Sequence, residues 1–240
     1  MAKFVWKRAS KKAKTSKRRM KALRTQVYTP YPSIRGTNPA NQTTFKGKGF
    51  PDRLTTNVVY SDSFILDPSA GTPTPYKTYL LTSGFDPDNA LGGGQPTYWD
   101  QLAAVYSRYK VNGAKITATF SKSSTISANE GPYICGIECS DSTSLPTTNA
   151  GVLISTPNTS FRIVGQEDGS KSVVATYSSK SVYPDFVDGL QARMTSNPTI
   201  NWYAKVFASP QGVDIEKPIN VIIIIEYNVT LSDVIGVVDV

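Results

Sequence analysis

The chain has 240 residues, 26 Lys and Arg against 18 Asp and Glu, a formal net charge of +8 and no histidine. That last absence excludes Ser-His-Asp and Cys-His catalysis and every His-ligated metal site. Two cysteines exclude a disulfide framework, and the densest apolar run, Val221 to Ile225, is far short of the ~20 residues of a membrane span, so no membrane insertion is expected.

Charge is sharply divided along the chain. Fourteen basic residues precede the first acid, Asp52, which leaves 12 basic and 18 acidic residues, a balance of −6, for the remainder. Eleven of the fourteen fall in residues 1–24: Lys3, Lys7, Arg8, Lys11, Lys12, Lys14, Lys17, Arg18, Arg19, Lys21 and Arg24. At that density like charges repel, so the segment reads as a disordered arm whose partner is a polyanion, here nucleic acid. Phe4 and Trp6 interrupt the charges and are candidates for base stacking, or equally for packing on an inner wall. No apolar leader is present, and the KK and KRR clusters resemble nuclear import signals. Lysine dominance sets aside a mitochondrial transit peptide, and a reduced cytosolic or nuclear setting is expected.

Residues 25–51 are rich in Pro, Gly, Asn and Thr and read as an extended linker between the arm and a body over 52–240. Arg35, Lys46 and Lys48 add to the nucleic-acid-binding set. Tyr28, Tyr31 and Phe45 suit pinning the linker to the body or a neighbouring copy better than stacking on bases.

From Leu54 onward, strand-like runs alternate with turn residues. Eight are predicted: 54–66, 76–82, 110–121, 132–139, 161–166, 171–178, 200–208 and 219–231. In the third, Ala114, Ile116, Ala118 and Phe120 alternate with Lys115, Thr117, Thr119 and Ser121, the period of two that buries one face. Tyr133, Cys135, Ile137 and Cys139 form one face of the fourth. The consecutive isoleucines of the last suggest burial on both faces. Asn112-Gly113 lies inside a run, so it predicts a bulge or a close backbone approach rather than a hairpin turn. A single helix is expected between the second and third runs, with Thr97 and Asp100 as a capping box and Tyr98, Leu102, Val105 and Tyr109 at helical spacing. Eight strands with long, polar, Pro-rich connections predict an all-β fold, a single eight-stranded jelly roll of two packed antiparallel sheets.

Gly84 to Ile116 (GFDPDNALGGGQPTYWDQLAAVYSRYKVNGAKI) resembles a recurrent stretch of capsid proteins of small circular, replication-protein-encoding single-stranded DNA viruses, the circovirus-like group. It shares a Phe-Asp-Pro turn, a Gly-rich Gln-Pro loop, a short helix with Asp-Gln, and then Tyr-x-x-Tyr-x-Val-x-Gly-x-Lys. Gly49 to Phe64 looks like the same family's first strand. The matches cover about a third of the chain; from about Gly151 onward only the strand pattern agrees. The resemblance implies a homo-oligomeric icosahedral shell, T=1 with 60 copies, around a single-stranded DNA genome. RNA is the alternative, since related single jelly rolls coat RNA viruses. It also implies host nuclear import receptors and a cell receptor as partners, and location in the virion and, during assembly, the host nucleus.

Cofactor chemistry finds no foothold. Cys135 and Cys139, four residues apart on one strand, are ~13 Å from each other and read as buried thiols. Asp86, Asp88 and Asp100 bracket the Gly-rich loop and suggest calcium only weakly, because Asp-Pro turns and helix caps use the same residues. No metal site, cofactor or catalytic residue is assigned, and the chain is not expected to be an enzyme. Two rivals remain: a cellular nucleic-acid-binding β module, and a lectin-type jelly roll with a targeting tail.

Overall fold

The computed structural model describes residues 50–90, 94–122, 131–165, 168–185, 187–211 and 218–235. The predicted arm and nearly all of the linker lie outside these residues. Strands follow the predicted runs: β1 (Arg53–Leu66), β2 (Tyr76–Leu80), β3 (Tyr106–Lys122), β4 (Tyr133–Ser140), β5 (Thr159–Val164), β6 (Lys171–Ser178), β7 (Gln191–Arg193), β8 (Tyr203–Pro210) and β9 (Ile219–Val234). The eight long strands answer to the eight runs, and β7 is a three-residue addition.

Burial of alternate residues decides how each strand faces. In β3, Ala114, Ile116, Ala118 and Phe120 are buried as the pattern requires. In β6, Val173, Ala175 and Tyr177 do the same against Ser172, Val174 and Thr176. The inward sets of both sheets meet in one core that includes Tyr79, Trp99, Tyr109, Cys135, Ile137, Val206, Ile223 and Tyr227.

Pairing is nested and wholly antiparallel. Strand β1 pairs β9, β2 pairs β8, β3 pairs β6 and β4 pairs β5. The sheets have the orders β1-β9-β3-β6, with β7 added on β3, and β2-β8-β4-β5. A hairpin of strands folded over on itself in this way is a jelly roll. Connections β1–β2, β3–β4, β5–β6 and β8–β9 leave one end of the sandwich, as the pairs Leu66↔Ile219 and Phe120↔Lys171 require. The start of β1, the start of β3 and the end of β9 lie together at the other end.

Four local expectations fare differently. The register of β3 against β9 shifts between Val111 and Gly113, so Asn112-Gly113 is a bulge; it is also a close approach, because a Cβ at Gly113 would stand 3.0 Å from the Tyr177 carbonyl. The double burial expected of β9 is wrong: Ile219, Val221, Ile223 and Ile225 are buried, whereas Ile222 and Ile224 are about half exposed, because nothing among the described residues covers that face. Double burial occurs instead in β4 and β8. There α2 (Ala150–Leu153), its first turn capped by Asn149 accepting from the Gly151 N–H at 2.9 Å, packs Ala150 and Leu153 on Ile134 and Phe207.

The predicted helix exists as α1 (Trp99–Ala103), but its capping box does not. Tyr98 takes the cap position with φ 68°, and the Thr97 N–H is spent on the Val59 carbonyl at 3.0 Å. Val105 and Tyr109 lie beyond the helix, which is one turn long because Trp99 is drawn into the core. Its ring lies so close to Gly84 that an added Cβ would fall 2.4 Å from it, it meets Tyr109 edge-on at 4.8 Å, and its Nε1 donates to the Met194 carbonyl at 3.0 Å. One more short helix, α3 (Ser179–Val182), and a 3-10 turn, Asp188–Leu190, were not anticipated.

Candidate nucleic-acid interface

All fourteen predicted nucleic-acid-binding residues, Lys3 through Lys48, lie outside the described residues, as do Phe4 and Trp6. What the structure does place is the point where that segment joins the body. Only a few residues separate Lys48 from Arg53, the first residue of β1, and Arg53 begins a row of cations that crosses the sheet.

Cross-strand register builds the row. Arg53 stands opposite Ser232, Ser232 opposite Arg108, and Arg108 opposite Arg193. Two residues further along each strand, on the same face, come Thr55, Thr230, Lys110 and Gln191. Neighbouring strands are ~4.8 Å apart and successive same-face residues ~6.8 Å, so three arginines and a lysine share a field about two rows deep and four strands wide. All three arginines are exposed.

The floor of this field is polar and ordered. Arg53, Lys110, Asn112, Gln191, Thr230 and Ser232 line a shallow depression of about 280 Å³. Asn112 follows Arg108 and Lys110 at the period of two onto this face, where its Nδ2 donates to Thr230 Oγ1 at 2.8 Å and Asn228 Oδ1 at 3.0 Å, and the bulge after it brings Gly113 and Lys115 to the same face. Gln191 Nε2 donates to Ser232 Oγ at 3.3 Å, and the Thr55 and Thr230 hydroxyls are 3.0 Å apart. Acids adjoin the row at Asp52 and Asp233. Asp233 Oδ2 lies 3.3 Å from Arg108 Nε, with both side chains more than half exposed. Further along the face Lys115 pairs with Glu226 at 3.3 Å, and beyond it Ser61, Ile224, Thr117 and Val174 form an uncharged row.

The aspartates weighed for calcium are placed otherwise. Asp88 Oδ2 is 2.8 Å from Lys77 Nζ, and the same ammonium is 2.8 Å from Asp62 Oδ2 and lies over the Phe64 and Tyr79 rings. Asp86 is partly buried, Asp100 is exposed on α1, and among the described residues no three His, Cys, Asp or Glu groups stand close enough to hold a metal ion. Burial raises the Asp86 carboxyl above the usual range, with the charge of Asp88 adding to it. Cys135 and Cys139 are free and buried in the core, and burial pushes both thiols up to about 12.

A larger depression of about 660 Å³ lies where β5 and β6 face each other across the two sheets. Tyr183 and Trp202 line it together with one acid, Asp141, so it offers no carboxylate pair for work on a sugar.

No family model matches the chain, and no curated protein does. Solved structures similar to it include the 60-mer BFDV capsid protein, at 9% identity with a TM-score of 0.44 over 78% of this chain and 98% of that one. Cocksfoot mottle virus gives 9% identity and 0.45 over 77% and 97%, and Desmodium yellow mottle tymovirus 14% and 0.40 over 100% and 99%. The fold stands on strand order and register.

Sequence reasoning missed Arg53, Arg108, Lys110 and Arg193. The only local signal was Arg108 and Lys110 two apart in a strand, which fixes a shared face. Arg53 and Arg193 join them through pairings that span more than a hundred residues in the case of β1 with β9, and no sequence period announces those.

Proposed function

We propose that the chain is the capsid protein of a small icosahedral virus. Residues 52–240 form the jelly-roll unit of a homo-oligomeric shell, residues 25–51 are the linker to the arm, and residues 1–24 bind single-stranded DNA and serve nuclear import before assembly. The observation that carries this reading is the joining of two features: a single jelly roll, and a segment before its first strand with fourteen cations and no acid. A β module of a cell needs no such charge contrast between its first fifty residues and its body. The resemblance of Gly84–Ile116 directs the choice of DNA over RNA and of the 60-copy shell.

Binding would run mainly on counterion release, with a salt slope of about −0.7 per phosphate contact and little sequence preference. Sixty arms supply about 660 charges, while the coding sequence for this chain alone needs about 720 nucleotides, so other cations must share the work.

Electron microscopy of the purified full chain, followed by nuclease digestion of its contents, tests the reading. Uniform icosahedral particles holding nuclease-protected single-stranded DNA are expected; protected RNA would correct the genome type. A chain that sediments as a monomer or dimer at low salt, with no particles, would overturn the proposal. Deleting residues 1–24 removes eleven cations and should take away most of the salt-sensitive DNA retention while leaving the body folded.

A further inference from the structure

We infer that the cationic end of the five-stranded sheet is a second phosphodiester-binding site, in which Arg53, Arg108, Arg193 and Lys110 hold the backbone of a single nucleic-acid strand. The inference rests on the proposed packaging role and assigns part of it to the folded body.

Placement is the first argument. The body from Asp52 onward is acidic overall, yet four of its 12 cations stand in two adjacent rows of one face. That face lies where the chain arrives from its acid-free segment, so a strand held by the N-terminal cations is already concentrated beside it. The second argument is chemical. Three guanidinium groups on one row match phosphate oxygens with paired N–H donors, which a lysine-only patch does not. Between them stand the hydroxyls of Thr230 and Ser232 and the amides of Asn112 and Gln191, neutral groups suited to phosphate and sugar oxygens.

The third argument is how weakly Arg108 is held. Arg108 has Asp233 beside it, but an ion pair with both partners more than half exposed is weak and exchanges readily for a phosphate. Contacts of this kind read no base edge, so the site is indifferent to sequence. Sixty copies would add about 240 charges to those of the arms, in the direction the charge shortfall demands.

The test uses the full chain with a 20-nucleotide oligothymidylate at low salt. Arginines are modified with phenylglyoxal and located by mass spectrometry. Arg53, Arg108 and Arg193 should be protected several-fold by the oligonucleotide, and exposed Arg162 on β5 should not. In parallel, Arg53→Gln, Arg108→Gln and Arg193→Gln combined should reduce the salt slope of binding by about 2, three contacts' worth. Equal modification of the row with and without oligonucleotide, while Arg8, Arg18, Arg19 and Arg24 become protected, would overturn this inference and leave the packaging role standing. Protection of neither set would overturn both. If the triple variant fails to fold, the footprint on the unaltered chain decides alone.

Discussion

Lys205 Nζ lies 2.5 Å from Glu138 Oε2, directly across the β8–β4 ladder, with the lysine side chain wholly buried and the glutamate nearly so. The ammonium also donates to the Ser140 hydroxyl and to the Ser142 carbonyl at 2.8 Å, so the segment after β4 folds over the pair. Such a pair gains little over well-packed apolar residues, but stranding one charge is costly. Lys205→Met alone is expected to lower stability by about 3–5 kcal/mol, and Lys205→Met with Glu138→Leu to recover most of the loss. Urea unfolding midpoints of the two variants at pH 7 check this.

The Lys77 clasp makes stability depend on acid. Burial by itself raises the Asp62 carboxyl, but hydrogen bonds from Lys77 and Tyr79 and the charge of Lys77 outweigh it and hold the group below its ordinary value. A carboxyl depressed in the fold contributes stability that is present above its unfolded value of about 3.9 and is lost as pH falls through the depressed value. Asp62→Asn should therefore lower the midpoint of thermal unfolding at pH 7, and its deficit relative to the unaltered chain should shrink below about pH 4. Asp86 acts with the opposite sign. Its raised carboxyl favours the fold at low pH and loses that contribution as pH rises through the raised value, so Asp86→Asn should cost least, or gain, near neutrality.

Two neighbouring isoleucines on β9 should respond oppositely to truncation. Ile223 is fully buried in the core, whereas Ile222 is 53% exposed. Ile223→Ala is expected to cost about 2–5 kcal/mol and Ile222→Ala about 0.5 kcal/mol or less in chemical denaturation of the unassembled chain.

Cys135 and Cys139 should be silent to thiol reagents in the native state. With both thiols pushed up to about 12 by burial, essentially no thiolate exists at pH 8, and access is closed as well. Labelling by a chromogenic disulfide reagent should proceed at the rate of unfolding and become immediate in denaturant; rapid native labelling would contradict the burial.

Strand positions were legible because their signal is local: Lys171–Ser178 and the alternating stretch of β3 carry their period on their face. The jelly roll followed from counting such runs. Features decided by what lies across a gap were not legible. Four consecutive isoleucines, Ile222–Ile225, look alike in sequence, and only the lack of a covering layer on one side among the described residues separates them. Helix α1 misled for a related reason: Tyr98, Leu102, Val105 and Tyr109 have helical spacing, but Trp99 and Tyr109 are claimed by the core and end the helix after one turn. At the cationic end, long-range pairing alone brings Arg53 and Arg193 to Arg108.

The nested pairing also sets a timetable. Strand β1 is bonded along its length to β9, the last strand, and about 150 residues must be made between them. At synthesis rates of about 5–20 residues per second, β1 waits roughly 8–30 s for its partner. Throughout that interval the fourteen cations that precede Asp52 are already synthesised while the body behind them is unfinished. The basic segment is therefore made well before the sandwich can close, and folding is completed only when β9 enters between β1 and β3.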